Sequence, residues 1–385
     1  YLWQLYEGNQ EKGYKANSYR SDLELFNNDI TNDTDGTIAL ANKQALKNAV
    51  DMYTGTNKTL AILGYGQINS WDTSQITNMN QLFYYKTDFD EDINDWDVSN
   101  VTSMSSMFAY ANSFNKPLNK WNTSNVTFMG SMFNRANAFN QSINTNVQNA
   151  GEENEYVAWD VSNVTNMSSM FYENRDFNQS LSNWNTSKVI DMERMFKPNT
   201  SYESTFNKNL SQNTVTDIYE DPYTAWDVSN VTNMSEMFHG CKNFNNGSIV
   251  RDENDNPILD NDGKEQPSSV AQNPLVWNPA KVKYMDKLFR NCERFNSEMK
   301  SEWTRDNDGN LNITTWDVSN VTNIKFIFSG CTAFNQESVR TWNMKHIFEE
   351  YNNPPVSGMF TNTAFSNDID NQGGLDISSG TPTYN

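Results

Sequence analysis

Apolar residues return along this chain at fixed offsets from a tryptophan. With Trp96 as position 1 they fall at 1, 3, 6, 9, 12, 13, 19 and 23: Trp96, Val98, Val101, Met104, Met107, Phe108, Phe114 and Leu118. Segments 96–120 and 159–183 coincide at all of these places, with polar residues between them. The marker tryptophans stand at 71, 96, 121, 159, 184, 226, 277, 316 and 342; three steps are 25 residues, one is 26, and the others are longer by inserted segments. A period of this size marks a repeat array. Neither a two-residue nor a 3.6-residue period persists through a whole unit. The pattern divides best into a short extended piece over positions 3–9, a helical or 3₁₀ turn through Met-x-x-Met-Phe, and a strand over positions 19–23 (Phe114 to Leu118).

One unit offers eight apolar side chains, each worth about 1.5–3 kcal/mol when buried. Ordering its residues costs more than roughly 25 kcal/mol, at about 1–2 kcal/mol each. A lone unit is therefore unfolded, and only stacking on neighbours completes the burial. The expected fold is a solenoid of about nine coils, mixed β with short helical or 3₁₀ turns, its strands stacked about 4.8 Å apart. Its repeat core includes Trp96, Met107, Phe108, Phe114, Trp159, Met170, Phe171 and Phe177.

Residues 1–69 lack the repeat. Within Ala41–Tyr53, the apolar Leu46, Ala49, Val50 and Tyr53 fall at helical spacing, with Gly55 just beyond. The expected organisation is an N-terminal cap region with one helix (1–69), the repeats with inserted loops (70–370), and a C-terminal tail (371–385). Asn follows the second Phe of the unit at 115, 140, 178, 207, 245, 296 and 335. An amide both donates and accepts, so these residues are expected to bond their own turn and the next coil as a ladder. Cys241, Cys292 and Cys331 sit where other units carry Ala111 and Ala136, and read as one buried column rather than a disulfide set. The Trp-Asp/Asn-Val/Thr-Ser-Asn segment has the chemistry of an Asx turn, from which sequons such as Asn100-Val-Thr and Asn163-Val-Thr follow.

The units resemble those of the BspA-like leucine-rich-repeat surface proteins, in the roughly 25-residue form found in mycoplasma lipoproteins. The segments 237–245 (MFHGCKNFN) and 327–336 (IFSGCTAFNQ) resemble that family's core motif. The resemblance runs from Trp71 to about Asp370. It implies a leucine-rich-repeat-like, surface-exposed solenoid associated with adhesion to host molecules. The motif itself carries packing information and no chemistry.

Composition narrows the function classes. The formal charge is −20, from 28 Lys and Arg against 48 Asp and Glu, with a pI near 4.5. That balance argues against binding a phosphate backbone, so no nucleic-acid partner is expected. Mean hydropathy is −0.77, and no apolar run approaches the roughly 18 residues of a membrane span. The chain opens at Tyr1 with neither an initiator Met nor a signal peptide, which reads as a processed or truncated product. Its two histidines, His239 and His346, are far apart, and no P-loop, dinucleotide fingerprint or nucleophile motif is present. Catalysis is not expected.

Candidate ligand contacts lie in two places. Insertions near 144–158, 211–225, 246–276 and 298–315 share one slot of the repeat and should leave it at one edge. Their acidic residues include Glu152, Glu153, Asp217, Glu220, Asp252, Glu253, Asp306 and Asp308. A further insertion near His346–Pro355 should emerge elsewhere. Tyr84, Tyr85, Tyr110 and Tyr172 occupy positions 14 and 15, which read as exposed, and aromatic clusters of this kind bind sugars or proteins or cover the adjacent coil. Asp-Gly segments at 32–36, 259–263 and 305–309 lack the first and twelfth ligands of a calcium loop. They read as hairpin turns, with weak calcium binding as the alternative and no other cofactor implied. The expected function is a non-enzymatic extracellular or cell-surface adhesion module binding a host or matrix protein or glycan. The alternative is a self-associating subunit of a fibre, sheath or virion appendage.

Overall fold

The computed structural model describes residues 30–32, 38–40, 42–199, 201, 203–216, 221–252, 256–260, 265–269, 273–305, 311–342, 344, 346–347 and 356–365. Successive units stack in register. Position 8 of each forms a single parallel bridge to position 8 of the next, through Asn78, Ser103, Phe128, Asn166, Asp191, Asn233, Tyr284 and Asn323.

From position 9 to 15 the chain is a run of turns instead of the expected helical or 3₁₀ turn. Residues at the odd positions donate N–H forward to the next unit; those at positions 12 and 14 donate back three residues within their own. In the second unit Met104, Ser106, Phe108 and Tyr110 donate to Phe128, Gly130, Met132 and Asn134 at 2.8–2.9 Å, while Met107 and Ala109 donate to Met104 and Ser106 at 3.1 Å. The alternation puts positions 11 and 15 in the left-handed region, as at Ser106 (φ 56°), Tyr110 (63°), Arg135 (56°) and Glu173 (55°). None of these is glycine, and each costs about 1–2 kcal/mol. The forward bonds, net about 0.5–1.5 kcal/mol each, offset that cost only when the next unit is in place. Stacking therefore dictates this local shape.

The strand expected over positions 19–23 does not form: residues 114–118 carry no strand pairing. Side chains take the place of a partner strand there. The backbone N–H of Asn140 donates to Asn115 Oδ1 at 3.0 Å, and the pattern repeats from Asn178 to Asn140, Asn207 to Asn178, Asn245 to Asn207, Asn296 to Asn245 and Asn335 to Asn296, at 2.8–2.9 Å. Asp90 starts the ladder by accepting from Asn115 N–H.

Inside, the aromatic residues form columns. Phe83, Phe108, Phe133 and Phe171 stack with centroids 5.3–5.7 Å apart and planes within 8°. The eight core residues expected from the sequence are all buried. The indole N–H groups of Trp121, Trp159, Trp184 and Trp226 donate to the carbonyls of Ile93, Leu118, Ile143 and Leu181 at 2.7–3.1 Å. Cys241, Cys292 and Cys331 are free and buried. Their thiols point at the carbonyls of Phe196, Phe238 and Phe289, and burial pushes them well above the usual thiol range.

The N-terminal region holds two helices where one was expected. A strand pair, β1 (Ile30–Asn32) and β2 (Ile38–Leu40), precedes α1 (Lys43–Tyr53) and α2 (Lys58–Tyr65). Asn42 caps α1 by accepting from the N–H groups of Gln44 and Ala45. That helix buries Ala45, Leu46, Ala49, Val50 and Tyr53. Tyr53 and Tyr65 meet Trp71 edge-on at 5.7 and 5.9 Å, which covers the first unit.

Three insertions are antiparallel hairpins: β3 (Asn146–Gln148) with β4 (Tyr156–Ala158), β5 (Asn213–Thr216) with β6 (Pro222–Ala225), and β7 (Glu302–Arg305) with β8 (Leu311–Thr315). The segment 246–276 is held by isolated bridges, Ile249–Pro267, Arg251–Pro257 and Leu259–Glu265. Most of the insertion expected near His346–Pro355, and the whole 371–385 tail, lie outside the described residues. No helix among the described residues is long and apolar enough to cross a membrane.

Candidate functional site

The left-handed residues at positions 11 and 15 send their side chains outward along one face of the stack. At its N-terminal end, Tyr84 and Tyr85 are 39% and 55% exposed. Tyr85 stacks on Tyr110 of the next unit at 4.2 Å and 10°, and Tyr84 meets both rings edge-on at 4.6 and 5.8 Å. The Arg135 guanidinium lies over the Tyr110 ring at 5.0 Å. Arg135 also pairs with Glu173 at 2.7 Å, and Asn199 donates to the same carboxylate at 2.9 Å. Burial pushes Glu173 upward, but the bonds from Arg135, Asn199 and Tyr172 outweigh it and hold the carboxyl below its usual range. Tyr172 is half-buried; its hydroxyl bonds the Glu173 carboxylate and its carbonyl accepts the Arg135 N–H at 2.8 Å. The structure thus unites Tyr84, Tyr85 and Tyr110, and leaves Tyr172 beside them.

Further along the same face Glu236 is nearly buried, with Lys197 at 2.5 Å, Lys287 at 2.8 Å and Arg194 at 3.3 Å. Desolvation opposes its charge, yet the two lysines hold its carboxyl far below the usual range. His239 lies 3.7 Å from Glu236. Burial, with Lys197 next, brings its pKa down to about 4. The sequence reading missed this cluster and the Arg135–Glu173 pair. Their only signal was charge recurring at positions 11, 14 and 15, where a free-standing turn gives no reason for neighbouring units to meet.

Tyr85 also borders a cleft of about 350 Å³ between α1 and the first unit, lined by Tyr53, Thr54, Lys58, Lys86, Asp88 and Glu91 among others. The hairpins leave the repeat at another edge. Glu152 and Glu153 are exposed in the β3–β4 turn. Asp252 is exposed and accepts from Asn256 N–H at 2.9 Å. Asp217, Glu220, Glu253, Asp306 and Asp308 lie outside the described residues, as does most of the Asp-Gly segments at 32–36, 259–263 and 305–309. Among the described residues, no group of three or more His, Cys, Asp or Glu is placed to hold a metal ion. His346 Nε2 meets the Val321 carbonyl at 2.6 Å. The sequon residues Asn100 and Asn163 use their side-chain amides to bond the preceding unit, donating to the carbonyls of Ser74 and Ser124.

One family model matches the chain, described as a Mycoplasma protein of unknown function, DUF285. It matches four overlapping stretches, 47–158, 146–249, 205–311 and 277–379. No curated protein and no solved structure matches.

Proposed function

The chain belongs to the DUF285 family of Mycoplasma repeat proteins, and on that premise we propose that it is a non-enzymatic, extracellular or cell-surface adhesion module. In this reading its units wind as a solenoid akin to the BspA-like leucine-rich repeats, and its turn face engages a host or matrix protein. One observation carries the reading: Tyr84, Tyr85 and Tyr110, from two units, meet on the surface with Arg135 laid over the last ring. Tyrosine and arginine are enriched among the side chains that anchor protein interfaces: the tyrosine ring buries large area at low conformational cost, and the guanidinium donates several hydrogen bonds and stacks on rings. The stack beneath holds them in fixed register.

Surface plasmon resonance over immobilised collagens and laminins tests the proposal. The double variant Tyr85→Ala, Tyr110→Ala should weaken capture by at least about tenfold, as truncating interface anchors does. Undiminished capture would sink it. The alternative fibre subunit needs raw ends, whereas α1 and α2 cover the first tryptophan here. Assembly that grows with concentration in light scattering would favour that alternative.

A further inference from the structure

The hairpins β3–β4 and β5–β6 enter two units apart, with the units opened by Trp159 and Trp184 between them. A cleft of about 660 Å³ lies between the hairpins, within the range of small-ligand sites. Register defines its walls. Val147 pairs with Val157 across the first hairpin, and Val215 with Tyr223 across the second. All four line the cleft, so the hairpins present their faces to it and not their edges. Tyr156 donates its hydroxyl to the Lys120 carbonyl and Tyr223 donates to the Asn183 carbonyl, both at 2.6 Å. Each tyrosine thus anchors the N-terminal-facing side of its hairpin to the unit before it. The open slot is consequently bounded by the free face of the first hairpin and the anchored face of the second. The tryptophans that end the two hairpins, Trp159 and Trp226, are two stacked steps apart, through Trp184.

We propose that this slot binds a neutral pyranose residue of a glycan, at a site separate from the tyrosine face. A sugar ring has apolar faces and hydroxyl edges. The walls offer valine methyl groups and one tyrosine ring, while Asp160, Ser162 and Asn185 on the floor offer donors and acceptors. The lining holds the carboxylates of Asp160 and Asp221 and no Lys, Arg or His, which disfavours anionic sugars. A peptide strand is disfavoured as well, because strand addition requires a main-chain edge and the slot presents faces.

Saturation-transfer NMR on the full chain, with neutral methyl glycosides and with sialic acid as the anionic probe, tests the site. Transfer to at least one neutral glycoside is expected, with affinity near the millimolar level that a single small ring reaches. Val147→Trp, on an exposed wall, should fill the slot and abolish transfer. Tyr223→Ala should weaken binding about tenfold while Tyr223→Phe keeps it, since the ring face makes the contact. The Tyr85→Ala, Tyr110→Ala variant should retain sugar binding, which keeps a failure here distinct from a failure of the adhesion reading. No transfer from any neutral glycoside overturns the proposal. So does preference for sialic acid, or transfer that survives Val147→Trp in a protein of unchanged melting temperature.

Discussion

The units opened by Trp184 and Trp226 share their buried columns and differ in what precedes them. Before Trp184 the chain runs straight on from Leu181, whose carbonyl accepts the Trp184 N–H at 3.1 Å. Before Trp226 stands the hairpin β5–β6, and the Trp226 N–H turns instead to the Trp184 carbonyl at 2.9 Å, with φ at 52°. Trp159 and Trp316, which also follow hairpins, have φ of 52° and 44° and donate to Trp121 and Trp277 in the same way. Trp277 follows the bridged segment 246–276 and does not enter the left-handed region. The cause is therefore the returning strand of a hairpin, not the length of an insertion. In both kinds of unit the indole is buried and stacked, the two rings lying 6.4 Å apart at 10°. A hairpin changes one main-chain bond and one φ at its exit, and the columns continue past it.

The largest effect should come from attacking the columns. Trp184→Ala and Trp226→Ala should each cost about 3–5 kcal/mol in urea unfolding. If the columns are equivalent, the two losses agree within about 1 kcal/mol; a much milder Trp226→Ala would break the comparison. The asparagine ladder comes next. Asn207→Ala strands the N–H groups of both Asn245 and Gly247 in a buried part of the hairpin-bearing region, at about 1–3 kcal/mol for each group. Asn115, on an exposed stretch of the plain region, should cost less than half as much by the same measurement.

Acidification probes the Glu236 cluster, which joins the units on either side of that hairpin-bearing junction. Its carboxyl is held below the unfolded value of 4.5, so its stabilisation is present above that pH and is lost as pH falls beneath it. His239 is lowered from 6.5 to about 4, so protonation of the unfolded chain drains stability as pH falls from 6.5 toward 4. Melting temperature should decline across both windows, and His239→Gln should flatten the upper one. The smallest effect should follow deletion of residues 213–225. That deletion joins Gln212 to Trp226 and restores the Leu-x-x-Trp spacing of Leu118 to Trp121. Stability should change by about 1 kcal/mol or less, roughly 2–4 °C, since the columns are untouched. A large loss of melting temperature would show that the hairpin holds the stack together.

Much of this was legible in the chain. The Trp, Met and Phe columns, the asparagine ladder and the buried cysteine column all follow from identical residues at identical offsets, because stacking brings like positions together. The tyrosine cluster was half legible: Tyr84, Tyr85 and Tyr110 meet, while Tyr172 lies beyond Arg135. The strand expected over 114–118 failed because a side-chain ladder supplies the bonds that a neighbouring strand would have made. The turn through Met104–Phe108 failed as a helix because its N–H groups alternate between forward and backward partners. A sequence window sees only one of those partners.

The sequence alone determined which side chains are buried and that no unit can stand by itself, because burial is tallied residue by residue and the tally of one unit falls short. Only the tertiary structure decided backbone handedness at Ser106 and Tyr110, the escort of cations around Glu236, and the slot between two hairpins. Each depends on the spacing between neighbouring units, a distance fixed by ring stacking and inter-unit hydrogen bonds that no single unit contains.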